Sequence, residues 1–479
     1  MEERGKVPVS LPHSTPTKSY WQDPPSDIAD LRTTSTLPVH ADYVVIGSGI
    51  SGASIAYNLL LRRPEASVVL LEARQACSGA TGRNGGHTKA ASYRSFLDHE
   101  RELSTAEAVK IARLEYACVR ETHAFIRKDG IECASTECET VDVVYSQMQW
   151  ELGKRAIERM RVVMGGDDPA ARYVIWEGGG EVERKFKTPG ARGAFQYPAG
   201  SLSAYDFAVG MLKLCLEMGL NLQTGTLAEA ISSEDVDGLT RWTVQTARGS
   251  ISTPGLVLAK NGYTARLLPQ MQGVIVPLQG QVVAQRPGSG LPQTGLSNTY
   301  SLIWQTGYEY MITRPPGSRN EGDIIIGGGI HQLPNDGESR YGNTDDSSLE
   351  PTITSYLRRC TNDIFAENWG SDHTDGRIKT EWSGVMGASA DGLPYVGAVP
   401  DAEGLYISAC FNGHGMVWCF KAAQALVGTM LGSPEERLAI EHWFPQSAVI
   451  SKKRMELKFL GRRDLRAPGE AQLGERSRL

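Results

Sequence analysis

The residues best spaced for chemistry are Gly47, Gly49 and Gly52 in "DYVVIGSGISGASIAYNLLLRR", with Glu72 at the end of "ASVVLLEAR". The run "DYVVIG" is short, apolar and β-branched, the pattern of a strand covered on both faces. Ile50, Ala53, Ala56, Tyr57, Leu60 and Leu61 then recur with a helical period. Glycines spaced G-x-G-x-x-G at such a strand-to-helix junction allow a tight turn, a close approach of backbone to a diphosphate, and tight helix–strand packing. The helix N-terminus, from Ile50 and Ser51, offers free N–H groups and the positive end of its dipole to that anion. "ASVVLLEAR" reads as a second strand. Glu72, 20 residues after Gly52, is placed to accept both ribose hydroxyls and to repel a 2′-phosphate, with Ala73 and Arg74 beside it. These positions predict a dinucleotide site that disfavours NADP.

A second glycine cluster follows at once, "CSGATGRNGGHTKAASY" over residues 77–93. A nicotinamide enzyme has no use for it there, whereas an extended FAD needs further backbone contacts along its diphosphate and flavin. At these residues the chain resembles the D-amino-acid oxidase family of FAD oxidoreductases (glycine and sarcosine oxidase-like), and in the "GRNGG" form its gamma-glutamylputrescine oxidase branch. The resemblance implies that Ser78, Gly79, Ala80, Thr81, Gly82, Arg83, Asn84, Gly85, Gly86 and His87 line a flavin channel. It implies that the strand leading to Leu227 receives the adenine, and that Asn261 and Gly262 form the family's turn back to the cofactor. It also matches "SADGLPYVG", with Asp391, to a loop at the flavin, and "GLYISACFNGHGM" to the strand, turn and final helix. Gly413, His414, Gly415 and Met416 then lie at the ring, and a helix starting about Met416 directs its positive end at the reduced flavin.

The fold class expected is α/β: a Rossmann-type FAD-binding domain, discontinuous in sequence, with a second α+β substrate domain on a mixed, mostly antiparallel sheet. Residues 1–39, rich in Pro, Ser and Thr, read as an extended arm. The FAD-binding pieces are 40–98, 201–268 and 380–446; the substrate domain takes 99–200 and 269–379; residues 447–479 form a tail. Strand-like segments "TVDVVYS", "GVIVPLQGQVVAQRP", "SLIWQTGYEYMITRP" and "GDIIIGGGIHQ" alternate as a sheet with one face on a cavity does.

Candidate catalytic residues are His87, which closes the second glycine cluster, Tyr308 and Tyr310, which share one strand face, and Trp382. A buried histidine without catalytic duty and core aromatics fit these positions as well. Arg83, Arg94 and Arg314 are each open as a carboxylate clamp. The sarcosine oxidase branch attaches its flavin through a cysteine that has no counterpart in "SGVMGASAD", so non-covalent FAD is expected; Cys77 and Cys410 read as packing residues. That branch also has an oxygen-activating lysine where this chain carries Ile325. Lys260 stands where a small residue is usual. The resemblance implies oxidation of a C–N bond in an amine or amino acid by hydride transfer to flavin N5, hydrolysis of the imine, and hydrogen peroxide from dioxygen. A dehydrogenase with another acceptor and a non-catalytic flavoprotein stay open as alternatives.

A net charge of −6 gives no concentrated basic surface for nucleic acid. Eight scattered cysteines without a C-x-x-C pair read as reduced thiols, and nine histidines show no metal-ligand spacing, so no metal site is expected. No uncharged apolar run is long enough to span a membrane. Ser477-Arg478-Leu479 is a basic variant of the Ser-Lys-Leu peroxisomal address, so an import receptor is an expected partner and the peroxisome the expected site, with the cytoplasm as the alternative.

Overall fold

The glycine-flanked run Tyr43–Ile46 is an inner strand of a six-stranded sheet in the order Tyr395–Ala398, Leu405–Ala409, Gly255–Leu258, Tyr43–Ile46, Val68–Leu71, Asn221–Gln223. Every neighbouring pair is parallel except the edge pair of Tyr395–Ala398 and Leu405–Ala409. Val44, Val45 and Ile46 are buried, as expected of a strand covered on both faces. The computed structural model describes residues 1–461; the terminal Ser477-Arg478-Leu479 lies outside the described residues.

One face of this sheet is covered by the helices Ile50–Arg62, Ala204–Glu217 and Cys419–Leu431, which bury Ile55, Leu59, Leu212, Cys215 and Leu426 in one cluster. The other face packs Val44, Leu71 and Leu256 against Trp242, Val244 and Ile251 of a three-stranded antiparallel meander, Ala230–Val236, Leu239–Thr246 and Gly249–Thr253. The first helix starts on the glycine loop. Gly47 has φ +110°, and a Cβ on Gly52 would stand 1.8 Å from the Gly47 carbonyl oxygen, so no other residue brings helix and strand this close.

A nine-stranded sheet runs Ile378–Ser389, Ile275–Gln285, Ile324–Gly327, Tyr308–Thr313, Asn298–Ile303, Thr136–Val144, Gly193–Ser201, with His87–Lys89 and Val174–Glu177 both on Gly193–Ser201. Only the Asn298–Ile303 and Thr136–Val144 pair is parallel; the other neighbours are antiparallel. Two strands link the sequence pieces more closely than their order suggests. His87–Lys89 carries the end of the second glycine cluster into this sheet, and Ile378–Ser389 runs its full length beside Ile275–Gln285.

The N-terminal arm is mostly irregular, with short helical turns at Glu2–Gly5 and Tyr20–Gln22, but it is pinned down. Trp21 is buried and donates its indole N–H to the Asn84 carbonyl at 2.6 Å. Arg83 donates to both the carbonyl and the hydroxyl of Thr17, the Met1 ammonium pairs with Glu338, and Val9 and Leu37 enter the core beneath the six-stranded sheet. The isolated apolar residues in that Pro-rich stretch are its anchors.

Candidate active site

Residues of both large sheets and of the arm enclose a cavity of about 340 Å³, within the range of small-molecule and cofactor sites. Gly47, Gly49, Ile50 and Ser51 line it at the helix N-terminus, where a diphosphate would meet the N–H groups and positive dipole end of the first turn. Thr81 folds over this loop, its Oγ1 accepting the Ile50 N–H at 3.0 Å. Glu72 lines the next stretch with Ala73, Arg74 and Leu227. Its Oε2 accepts the Ser48 hydroxyl at 2.6 Å and the Ser48 N–H at 3.1 Å, and its Oε1 accepts the Arg74 N–H at 3.0 Å. These bonds fix the carboxylate at the mouth of the second strand.

The second cluster supplies the wall that runs towards the nine-stranded sheet: Gly79, Ala80, Thr81, Arg83, Asn84, Gly85, Gly86 and His87. Asn84 shapes it, accepting the Gly86 N–H at 2.8 Å and donating to the Thr81 carbonyl at 3.2 Å. Gly85 is required by a neighbour, since a Cβ there would stand 2.4 Å from the Tyr310 ring. Two turns close the opposite wall. Asn261, at φ +48°, accepts the Phe411 N–H at 3.1 Å, which ties the 261 turn to Gly413, His414, Gly415 and Met416. The final helix begins at Cys419, after a short 3-10 turn over Gly415–Val417, three residues later than the sequence suggested; Trp418 at the junction is held by Glu115 through its indole N–H at 3.0 Å.

The nine-stranded sheet forms the roof. His87, Lys89, Tyr308, Tyr310, Gln281, Gly328 and Ile330 line it, with Arg94 from the following helix. His87 Nε2 bonds the Thr299 hydroxyl at 2.6 Å, whereas its Nδ1 is buried without a partner. Burial, reinforced by the Lys89 charge, holds this imidazole well below its ordinary pKa, so it is neutral. Lys89 Nζ donates to Asp142 at 2.7 Å and to the Ser301 hydroxyl; Asp142 also accepts the Tyr93 and Tyr197 hydroxyls at 2.8 and 3.0 Å. Burial brings the Lys89 pKa down to about 8 against the pull of Asp142, which leaves it largely cationic at neutral pH. The Arg94 guanidinium stacks 3.8 Å from the centre of the Tyr308 ring.

Six expected site residues do not reach the cavity; one is Gly82, which packs inward, where a Cβ would stand 2.6 Å from the Cys77 carbonyl. Trp382 is fully buried behind it, donating to the Arg83 carbonyl at 2.8 Å and stacked on Tyr20, so it supports the Arg83 loop instead of meeting substrate. Gly52 lies beneath the glycine loop, and Ser78 is buried with its carbonyl accepting from Arg83 and Arg74. Gly262 packs on the Met386 carbonyl, and Asp391 is engaged by Arg454 at 2.8 and 3.0 Å, which fastens the segment beyond 447. Of the three arginines open as a clamp, Arg83 is tied to the Ser78, Thr17 and Ser383 carbonyls, and Arg314 is buried under Trp21; Arg94 is the one that faces the roof pocket. Residues 10–12 of the arm, Lys89 and Arg266 line the cavity without having been singled out; Lys89 was marked only by standing two places after His87 on one strand face.

The cradle fits the cofactor that the second cluster implied: glycine loops without side chains along one wall, an anchored carboxylate at one end and an orphaned ring nitrogen at the other. Cys77 donates its thiol to the Ser48 carbonyl at 3.1 Å, and burial pushes the thiols of Cys77, Cys410 and Cys419 up, leaving none as a thiolate. Among the described residues no cluster of His, Cys, Asp and Glu is arranged to hold a metal, and no helix is long and apolar enough to cross a membrane.

A parallel sheet with a glycine loop opening into a cavity beneath a mostly antiparallel sheet is the architecture of a flavin-dependent oxidoreductase. The family model for FAD dependent oxidoreductases of the DAO type matches residues 42–428, and the chain belongs to that family. FAD is its cofactor. Glycine oxidase of Geobacillus kaustophilus is 22% identical over 400 residues, covering 78% of this chain and 89% of its own. Gamma-glutamylputrescine oxidoreductase of Escherichia coli is 21% identical over 437 residues, covering 88% and 90%. The structure of L-amino acid deaminase from Proteus myxofaciens in complex with anthranilate shares the fold, with a TM-score of 0.66 at 16% identity over 92% of this chain and 97% of that one.

Proposed function

We propose that this enzyme oxidises the C–N bond of an amino acid, with dioxygen as acceptor and hydrogen peroxide as product. The observation that carries the substrate side is the roof: Arg94 and Lys89, the latter held by Asp142, leave a net positive charge beside Tyr308 and Tyr310, next to a neutral His87. A carboxylate is the group such a pair binds best, through charge-assisted hydrogen bonds. An uncharged amine gains nothing from it, and a polycationic amine is repelled. The chemistry that bound FAD supplies is acceptance of two electrons from the carbon bearing the nitrogen.

The protein's own part is placement. Lys89 and Arg94 fix the carboxylate end, and Tyr308 and Tyr310 wall the side chain. With its Nε2 bonded to Thr299, neutral His87 places no positive charge where the substrate amine must be uncharged to react. Enclosure keeps water from the reacting carbon until the imine is released. The overall balance is amino acid, water and dioxygen giving the carbonyl acid, ammonia or amine, and hydrogen peroxide.

A second reading, a dehydrogenase passing electrons to another acceptor, is favoured by Ile325, which is fully buried in the sheet and brings no cation to the cavity. The test is an anaerobic spectrum of the yellow protein against amino acids and the matching decarboxylated amines, followed by air. Bleaching by the acids alone, then recovery with peroxide, is the expected result. Bleaching that persists in air makes it a dehydrogenase, and bleaching by the amines alone overturns the carboxylate assignment.

A further inference from the structure

Lys260 stands directly after the strand Gly255–Leu258, on the far side of the glycine loop from Glu72. A Cβ on Gly47 would come within 3.7 Å of the Lys260 backbone nitrogen, so the two segments lie side by side. Lys260 lines the cavity at this corner with Glu72, Tyr263 and Arg266. Among the described residues its ammonium makes no ion pair or hydrogen bond. A partly buried lysine beside the glycine loop, with no hydrogen-bonded counter-ion, is held as a cation more firmly once an anion enters the cavity.

We propose that Lys260 is a further FAD-binding residue, one that pairs with the anionic diphosphate-ribose part of the cofactor and takes up a proton as FAD binds. In the free protein, burial, with the nearby Arg266 charge acting in the same direction, brings Lys260 down to about 7; Glu72 pulls the other way. The remaining groups around it stay fixed. Burial raises the Tyr263 hydroxyl, keeping it neutral, and Arg74 is paired with Asp346. The 10–12 segment of the arm and the 47–51 loop carry no titratable side chain. An incoming dianion favours the ammonium form, so the bound lysine titrates at a higher pH than the free one. Affinity is therefore level below about pH 7 and falls by up to about tenfold per pH unit above it, until the bound lysine itself loses its proton.

The test uses the apoprotein and FAD, and reads binding, not turnover. Calorimetric titration at about pH 8, in two buffers of different ionisation heat, is expected to show uptake of roughly 0.9 proton per FAD, the fraction of free lysine that is neutral there. FAD affinity is expected to weaken as pH rises from about 7 to 9, while K260M loses both the proton uptake and the pH dependence. The two proteins converge at high pH, and wild type is the tighter binder at low pH. Proton uptake near zero in wild type, with a pH-independent Kd, overturns the proposal whether or not K260M folds. Uptake that persists unchanged in folded K260M assigns the proton elsewhere and overturns it too. Failure of wild type to bind FAD at all would strike the cofactor assignment instead.

Discussion

Glu309 gives the sharpest test of how the cavity roof is built. It lies between Tyr308 and Tyr310 on one strand, so when the tyrosines face the cavity the glutamate faces the layer behind. It is fully buried. The Trp304 indole donates to its Oε2, and His331 Nδ1 stands 3.4 Å from its Oε1 without forming a hydrogen bond. Burial also lowers the His331 pKa, so no imidazolium pairs with the carboxyl. Burial lifts Glu309 from an ordinary value of 4.5 to about 7. The folded protein therefore holds a proton that the unfolded chain releases. Its contribution to stability is complete below about pH 4.5 and is lost as pH rises through about 7. The whole span is on the order of 3 kcal/mol, from about 2.5 pKa units at 1.36 kcal/mol each. Glu309→Gln keeps the shape and the acceptor for Trp304 but carries no charge at any pH. The melting temperature of E309Q minus that of wild type is expected to be near zero at about pH 5, to grow with pH, and to level off above about pH 8. A difference that does not change with pH would refute the account, because it would mean that Glu309 titrates normally in the fold.

Three other substitutions separate the cavity's roles. Gly52→Ala places a methyl group 1.8 Å from the Gly47 carbonyl, and the purified protein is expected to lack flavin absorbance at wild-type stoichiometry; a fully yellow G52A protein would count against the diphosphate loop. Lys89→Met removes one of the two roof cations, and kcat/KM for a carboxylate substrate is expected to fall by about 10- to 100-fold, the size of a charge-assisted hydrogen bond. Because Asp142 is left with only two tyrosine hydroxyls, the double change K89M/D142N is expected to melt higher than K89M, and equal melting points would show that Asp142 does not need the lysine. Trp382→Phe strips the donor from the buried Arg83 carbonyl and is expected to cost about 1–3 kcal/mol of stability with substrate preference unchanged; an altered preference would return Trp382 to the site.

The dinucleotide cradle was legible in the chain because each of its parts is local. Strand, turn and helix from Tyr43 to Arg62 are contiguous, Gly52 is dictated by the Gly47 carbonyl five residues back, and Glu72 follows on the next strand, whereas the close approaches of Ala259 to Gly47 and of Thr81 to Gly49 come from further along the chain. The second cluster was legible for the same reason, since Asn84 holds Thr81 and Gly86 by short-range bonds. The roof was not. Lys89 faces the cavity as a cation only because Asp142, Tyr93 and Tyr197 come together from distant segments to hold it. Trp382 was drawn to the site by type and place in the chain, yet Tyr20 of the arm and the Arg83 backbone cover it. Ser10, Leu11 and Pro12 reach the cavity because Trp21 and Thr17 bind loops more than sixty residues away. Periodicity and turn chemistry act over a few residues and are written in the chain. Which side chains end beside one another across two sheets, and which charges lose their water there, is set by packing, and only the tertiary structure decided it.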